Sequence, residues 1–481
     1  MKTVMIPPFP SGLSRAADPA REMRQGDEPH AACKEGVRLS SQWRLFEDDG
    51  GIRREIPVYS TPVTRGGPHS FAMIRYSGDE PVTLTAQCSE MIKSAEILPS
   101  SYGIKPVISD DGISFGIGSA GHVTVLINGR TDFPLTVSVL PVREKTDAGS
   151  VKGLYFGPGL HTMDYFDFED GDTLYVDDGA VVTALPPPED ERPLNPKDWA
   201  GQKIYRGCVL ASGKKNVRIE GGGILDFSLL DWHARSPVAF DRCSDVSVRD
   251  TALVNAPAWN LNISGCDGAD AEFVRIFGYR ENSDGIDIVS SQDVRISGCF
   301  IRTGDDAVCV KAMAPPPRVG GKNILCEKMV IWNDKVRCMG IAAESRNDIS
   351  SVTFRDSDVI RSYADWTTEL GSLVVYICDK AEVSDILFDD IRIEHEVHLA
   401  TNILITKDFW SKDDEAGRIH NVVFRNITVT PKIGSRIAGY DALHTVSGVA
   451  YENFSVGGRR AASVGDAGIE ILPFAENITV T

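Results

Sequence analysis

The ten cysteines of this chain include no C-x-x-C pair. They stand singly at 33, 88, 208, 243, 266, 299, 309, 326, 338 and 378, mostly in apolar, strand-like text. That distribution argues against a thiolate zinc site or a disulfide framework and reads as reduced cysteine in a core. No apolar run approaches the roughly 18 residues of a membrane span. The opening stretch, MKTVMIPPFPSGLSRAADPA, is interrupted by Pro7, Pro8 and Pro10 and has no signal-peptide apolar segment, so a cytoplasmic location is expected. Positive charge is scarce: 50 Lys and Arg against 68 Asp and Glu leave a net charge of -18. Such a surface repels phosphate backbones and anionic lipid, which argues against nucleic acid and membrane partners. A 3.6-residue hydrophobic period is also missing, which excludes helical repeats. The 481 residues suffice for two to four domains, or for one long solenoid with an attachment.

What the chain does contain is strand text. Residues 1–40 are polar and aperiodic and read as an irregular arm. Residues 41–148 carry period-two runs, VTLTA (82–86), HVTVLI (122–127) and LTVSVL (135–140), parted by Gly, Pro, Asp and Ser. These predict a small antiparallel β-sandwich. The charged REKTDAG (143–149) reads as the linker. From 149 to 481 one four-residue register recurs: apolar, any, apolar, polar. It begins at Val217, Val246, Val294, Ile324, Val352, Ile386, Val422 and Val449, with a weaker member near Ala271. Repeats 20–50 residues long mean a solenoid, a propeller or an array. These units hold two or three short strands, too few for a propeller blade. The prediction is a right-handed parallel β-helix, whose coils stack their inner faces into one core.

One stretch departs from this grammar: ENSDGIDI (281–288), followed by TGDDAV (303–308). Asp284 and Asp305 lie close to one coil apart. Equivalent positions on adjacent coils sit roughly 4.8 Å apart. Asp284 should therefore stack beside the Asp305–Asp306 pair. Carboxylates that close disfavour joint ionisation, leaving a protonated acid beside an ionised base. Hydrolysis of a glycosidic bond uses that division of labour and needs no cofactor or metal. The same residue types also serve as turn text or as calcium ligands.

NSDGIDI and TGDD, one coil apart, resemble the N-T-D and D-D motifs of glycoside hydrolase family 28, the polygalacturonase family. NAPAWNLNISGC (255–266) resembles that family's N-S-P-x-W segment, and LYFGPGLH (154–161) with DTLYVDDGAVVTA (172–184) looks like its first coils. A sandwich ahead of the helix is similar to glycoside hydrolase family 49, of the same clan, which includes dextranases and isopullulanase. The resemblance covers roughly residues 150–481. It implies a pectin-lyase-like β-helix and an inverting hydrolase, with Asp305 as general acid and Asp284 and Asp306 positioning and deprotonating the water.

The chain departs from family 28 at two points. RCMGIAAES (337–345) stands where a G-H-G motif falls, no histidine lies between His233 and His395, and no R-I-K tripeptide follows. That tripeptide is what holds a uronate in pectinases, so its loss implies an uncharged glycan such as an α-glucan. The alternative is a polygalacturonase-like hydrolase of pectic fragments. An alternative from another class is a non-catalytic glycan-binding β-helix. A lyase would need a cation at the site, and Lys311 is the nearest. Candidate substrate contacts are Asn282, Trp259, Trp332, Trp366, Glu344 and Arg346, the tryptophans as flat platforms for sugar faces. In HEVH (395–398) the two histidines fall on opposite faces of a strand, which removes a metal reading. The expected partner is an oligo- or polysaccharide.

Overall fold

The computed structural model describes residues 2–15, 36–198, 200–364 and 370–481. Trp366 lies outside them. The described residues form strands and turns, with two short 3-10 turns at Ser100–Tyr102 and Ala148–Ser150 and no α-helix.

Two sheets make the N-terminal sandwich. One centres on His69–Ser77, paired antiparallel with Val58–Thr61 and parallel with Leu135–Pro141; the other centres on Val82–Cys88, between Trp43–Asp49 and Gly112–Ile117. Alternation sends Leu45, Ile74, Leu84, Val125 and Val137 inward, where each is fully buried. Part of the stretch expected to be an irregular arm belongs here. Thr3–Met5 pairs with His69–Ser77, and Arg38–Leu39 pairs with Val58–Thr61. Strands this short carry too few residues to display a period.

From Gly153 onward the chain is a parallel β-helix. The recurring register is a literal ladder: Val217, Val246, Ala269, Val294, Ile324, Val352, Ile386, Val422 and Val449 stack as consecutive parallel partners. The weak rung sits at Ala269 and Ala271 on Asp267–Glu272, slightly earlier than its text implied. Alanines occupy inward positions that hold Val or Ile elsewhere, which hides the pattern. Just before most rungs the backbone turns left-handed, with φ of 53–57° at Asn216, Asp245, Asp293, Asn323, Ser351, Asp385 and Asn421. Asn and Asp accept that conformation most readily among residues with a side chain. Within the core, Phe354, Phe388, Phe424 and Tyr451 stack at 4.9–5.1 Å between ring centroids. The nine described cysteines are free, and all but Cys88 are buried.

One face of the solenoid, including Ile224, Val254, Phe277, Phe300 and Trp332, packs against Tyr59, Phe71, Leu98 and Leu126 of the sandwich. Another face is a separate ladder of eleven strands, among them Val209–Ser212, Val238–Asp241, Leu261–Ser264, Ile286–Val289, Val308–Ala312 and Arg337–Ser345. Its inward residues, such as Leu261, Ile286, Val308 and Met339, are buried in register. Its outward residues line the cleft described next.

Candidate active site

Asp284 and Asp306 occupy the turns that lead into two neighbouring strands of this ladder, Ile286–Val289 and Val308–Ala312. The coils lock together there, because the Gly285 N–H donates to the Asp306 carbonyl at 2.8 Å and the Ile286 N–H to the Ala307 carbonyl at 2.9 Å. Only glycine fits at 285: a Cβ would stand 2.3 Å from the Ala307 oxygen. As a result, one oxygen from each of Asp284, Asp305 and Asp306 lies within 4.8 Å of the others.

Each carboxylate has different company. Asp306 is held by both arms of Arg337, at 2.6 and 2.9 Å. Asp284 takes the Lys311 ammonium at 3.0 Å on one oxygen, while its other oxygen is buried without a partner among the described residues. Lys311 also reaches Asp287 at 2.7 Å and lies 4.0 Å over the Trp259 ring. Asp305 has no ion-pair partner among the described residues at hydrogen-bond range. It accepts the Asp306 N–H at 2.8 Å on one oxygen and the Asn282 N–H at 3.1 Å on the other, and it keeps partial exposure toward the cleft.

These differences set the proton distribution. Burial, then the neighbouring Asp306 charge, pushes Asp305 up to about 6. Burial acts on Asp306 in the same direction, but Arg337 and then Lys311 outweigh it and hold Asp306 below the ordinary carboxylate range. Burial raises Asp284 strongly and Asp287 to about 7, with the single Lys311 ammonium opposing both. That trio shares its protons as a unit. Three converging carboxylates also suit a hard cation. Here Lys311 and Arg337 already bring two positive charges to Asp284 and Asp306, so the donor set fits a cluster compensated from within.

The cluster lies on the floor of a cleft of about 470 Å³. Of the candidate substrate contacts, Asn282, Trp259 and Glu344 line it. Two other candidates do not. Trp332 is fully buried between solenoid and sandwich, donating to Asp334 at 2.8 Å, with Arg302 stacked on its ring at 4.0 Å. Its strand alternates correctly, but the outward face at that point is covered by the other domain. Arg346 turns away to Asp413 at 2.9 Å and is not part of the cleft wall. Asp287 and His233 belong to the site without having been read from the text, and Arg337, which the text offers as a cation for a sugar carboxylate, is instead bound to Asp306. Asp287 had a signal, since I-D-I alternation places it opposite Ile286 and Ile288, on the cleft side. His233 had none. It enters from a distant coil, where its Nδ1 meets Asp198 at 2.7 Å and its Nε2 meets the Asn282 side-chain oxygen at 3.0 Å. The absence of a histidine after the Asp pair therefore did not mean a cleft without an imidazole.

Behind the site, the sandwich braces the solenoid. Thr64 donates to the Tyr279 carbonyl at 3.1 Å, and Arg302 bridges the Arg65 carbonyl at 2.8 Å and the Asp334 carboxylate at 3.0 Å.

Comparison with known proteins agrees with this architecture. Residues 231–463 match glycosyl hydrolases family 28. The chain is 23% identical over 260 residues to polygalacturonase QRT2 of Arabidopsis thaliana, covering 49% of this chain and 55% of that protein. It is 37% identical over 75 residues to a polygalacturonase of Juniperus ashei, 15% of each chain. The chain thus spans about half the length of the first of these relatives, and much less of the second. Among solved structures, a hyperthermoactive exopolygalacturonase from Thermotoga maritima aligns over 68% of this chain and 84% of its own, with a TM-score of 0.53 at 17% identity. Dex49A from Penicillium minioluteum aligns over 97% of both chains, with a TM-score of 0.55 at 13% identity. At such identities the structures establish the fold alone. Coverage of 97% extends that shared fold to the sandwich. In sequence the match is to glycosyl hydrolases family 28 over residues 231–463, and the likeness to Dex49A is one of fold.

Proposed function

We propose that this protein, family 28-like over residues 231–463, is a glycoside hydrolase acting on galacturonide oligosaccharides by inversion. The observation that carries the reading is the unequal pairing of three carboxylates within 4.8 Å of one another. Asp305, pushed to about 6 and facing the cleft, gives its proton to the leaving glycosidic oxygen. Asp306, kept ionised by Arg337, and the unpartnered oxygen of Asp284 hold the water that attacks the anomeric carbon from the opposite face. The water's proton passes to this pair as the bond to the sugar forms.

The choice of substrate reverses the expectation of an uncharged glycan. That expectation rested on a missing tripeptide. The curated relatives are named polygalacturonases, which favours the pectic alternative. The cleft, moreover, carries cations that no tripeptide search finds. Lys311 and Arg337 are engaged by the carboxylates, but Lys412 lines the cleft and has no ion-pair partner among the described residues. An ammonium in that state suits a sugar carboxylate. The test is paired kinetics on galacturonides and gluco-oligosaccharides of equal length, with proton NMR of the first-formed anomer. Faster turnover of the gluco-oligosaccharides would overturn the substrate, and a retained anomer would overturn inversion.

A further inference from the structure

In the coils around the site, short connections lead into the cleft strands: 255–260 before Leu261, 278–285 before Ile286, 304–307 before Val308. One coil differs. Residues 185–208 separate Ala180–Ala184 from Val209–Ser212, and the described part of this insertion, 185–198 and 200–208, folds back over the next coil. Asp198 and Ile204, both within it, line the cleft beside His233 and Ser236.

The insertion is clamped. Asn195 and Ile204 pair with each other across it, at 3.2 and 2.9 Å. Arg235, almost fully buried, donates to the Arg206 carbonyl at 2.6 Å and to Glu191 at 2.5 Å. The Tyr205 N–H donates to the Ala234 carbonyl at 2.8 Å. Asp198 takes the N–H groups of Ala200 and Gln202 on one oxygen, at 2.9 and 2.7 Å, and His233 on the other at 2.7 Å. His233 then ties the assembly to Asn282, whose own N–H holds the proton donor Asp305. A loop anchored by two buried side chains of the underlying coil is a wall, and its last link is the turn of the catalytic cluster.

Geometry limits what fits between wall and cluster. The insertion's coil lies three coil spacings, roughly 14 Å, from that of Asp284. Among the described residues, the cleft has no lining residue from any coil beyond the insertion. We propose that this wall makes the cleft blind toward its N-terminal coils, so that the protein works from a chain end and releases short, uniform products. The inference rests on the hydrolase reading and assigns its mode of attack.

An end-labelled galacturonide of defined length, followed by chromatography from the earliest times, tests it. The wild-type protein should release one short product from the outset, without intermediate sizes. Two variants then open the wall: the double substitution Glu191→Ala with Asp198→Ala, and a chain with residues 189–203 replaced by a short Gly-Ser link. Each should add longer fragments to the first-formed products. A wild type that yields a ladder of sizes at once overturns the wall. So do two folded variants that keep the single short product. If the wild type cleaves no glycan at all, the hydrolase reading falls, and the mode of attack with it.

Discussion

Replacing Asp305 by Asn probes the assigned proton donor on two axes. The amide keeps the side chain's shape but has no proton to give, so turnover should fall by about 10²–10⁴. Stability follows from two opposing costs. Burial and Asp306 lift the Asp305 carboxyl from its ordinary 3.8 to about 6. This corresponds to at most roughly 3 kcal/mol held against the ionised form above that pH. Asn removes the penalty. It also disturbs a fit, because both carboxyl oxygens accept backbone N–H groups, from Asp306 at 2.8 Å and Asn282 at 3.1 Å. An amide has one oxygen to offer, and leaving the other N–H facing an NH₂ costs about 1–3 kcal/mol. The two nearly cancel at neutral pH, so the melting temperature should stay close to that of the wild type. Their balance changes with pH. A carboxyl with a raised folded-state value contributes stability that is fully present below its unfolded value, about 4, and lost as pH rises through about 6. The variant should therefore be the less stable protein near pH 4 and should match or pass the wild type near pH 7. Thermal melts at both pH values, beside initial rates, provide the assay. A variant that keeps more than a tenth of the activity refutes the assignment of the acid. A melting difference that is the same at both pH values refutes the raised carboxyl.

Three other outcomes are expected. In the proposed mechanism Asp305 carries its proton into the reaction, so kcat/KM should decline as pH rises through about 6, and a profile still climbing from pH 6 to 8 would contradict this. Lys311→Met leaves Asp284 and Asp287 buried without their shared cation; chemical denaturation should register a loss of about 3–5 kcal/mol, greatest at alkaline pH where both carboxyls are pressed to ionise. Phe388→Ala removes the middle of the aromatic stack and should cost about 3–5 kcal/mol in the same measurement, while leaving KM unchanged because the ring lies inside the solenoid, away from the cleft.

Much of this was legible in the text because a solenoid writes its structure locally. Val217, Val246 and their successors repeat because each must fill the same site in the core, and the Asp284 to Asp305 interval is one coil because the chain returns to the same face after one circuit. What stayed hidden depends on contacts between distant segments. Trp332 reads as a surface ring until the sandwich covers it. Arg346 reads as a cleft residue until Asp413 draws it off. His233 becomes part of the site only because residues 185–208 fold back upon it, and nothing near His233 in the sequence announces that loop. Lys311 and Asp287 were half-legible: strand alternation puts both on the outward side, but their pairing requires the coil-to-coil register that sets Val289 against Lys311.

That register also explains how three chemically identical side chains acquire different protonation. Two cations are available, and both are placed by the solenoid's geometry rather than by the carboxylates. Lys311 projects outward from Val308–Ala312, next to Val289 of the preceding coil, which brings it to Asp284 and Asp287. Arg337 opens the following strand, one coil beyond Asp306, and closes on it in two-pronged fashion. Asp305 lies at the turn itself, where Asp306 of its own coil and Asn282 of the preceding coil present backbone amides and, among the described residues, no cation pairs with it. Moving either cation by one residue would turn it to the other face of its strand. Without Arg337 in place Asp306 would rise and join Asp284, already raised by burial, in competing with Asp305 for the proton, and the ionised member of the cluster would be lost. Asp305, the proposed proton donor, is the one of the three that the coil-to-coil register leaves without an ion-pair partner among the described residues and partly open to the cleft.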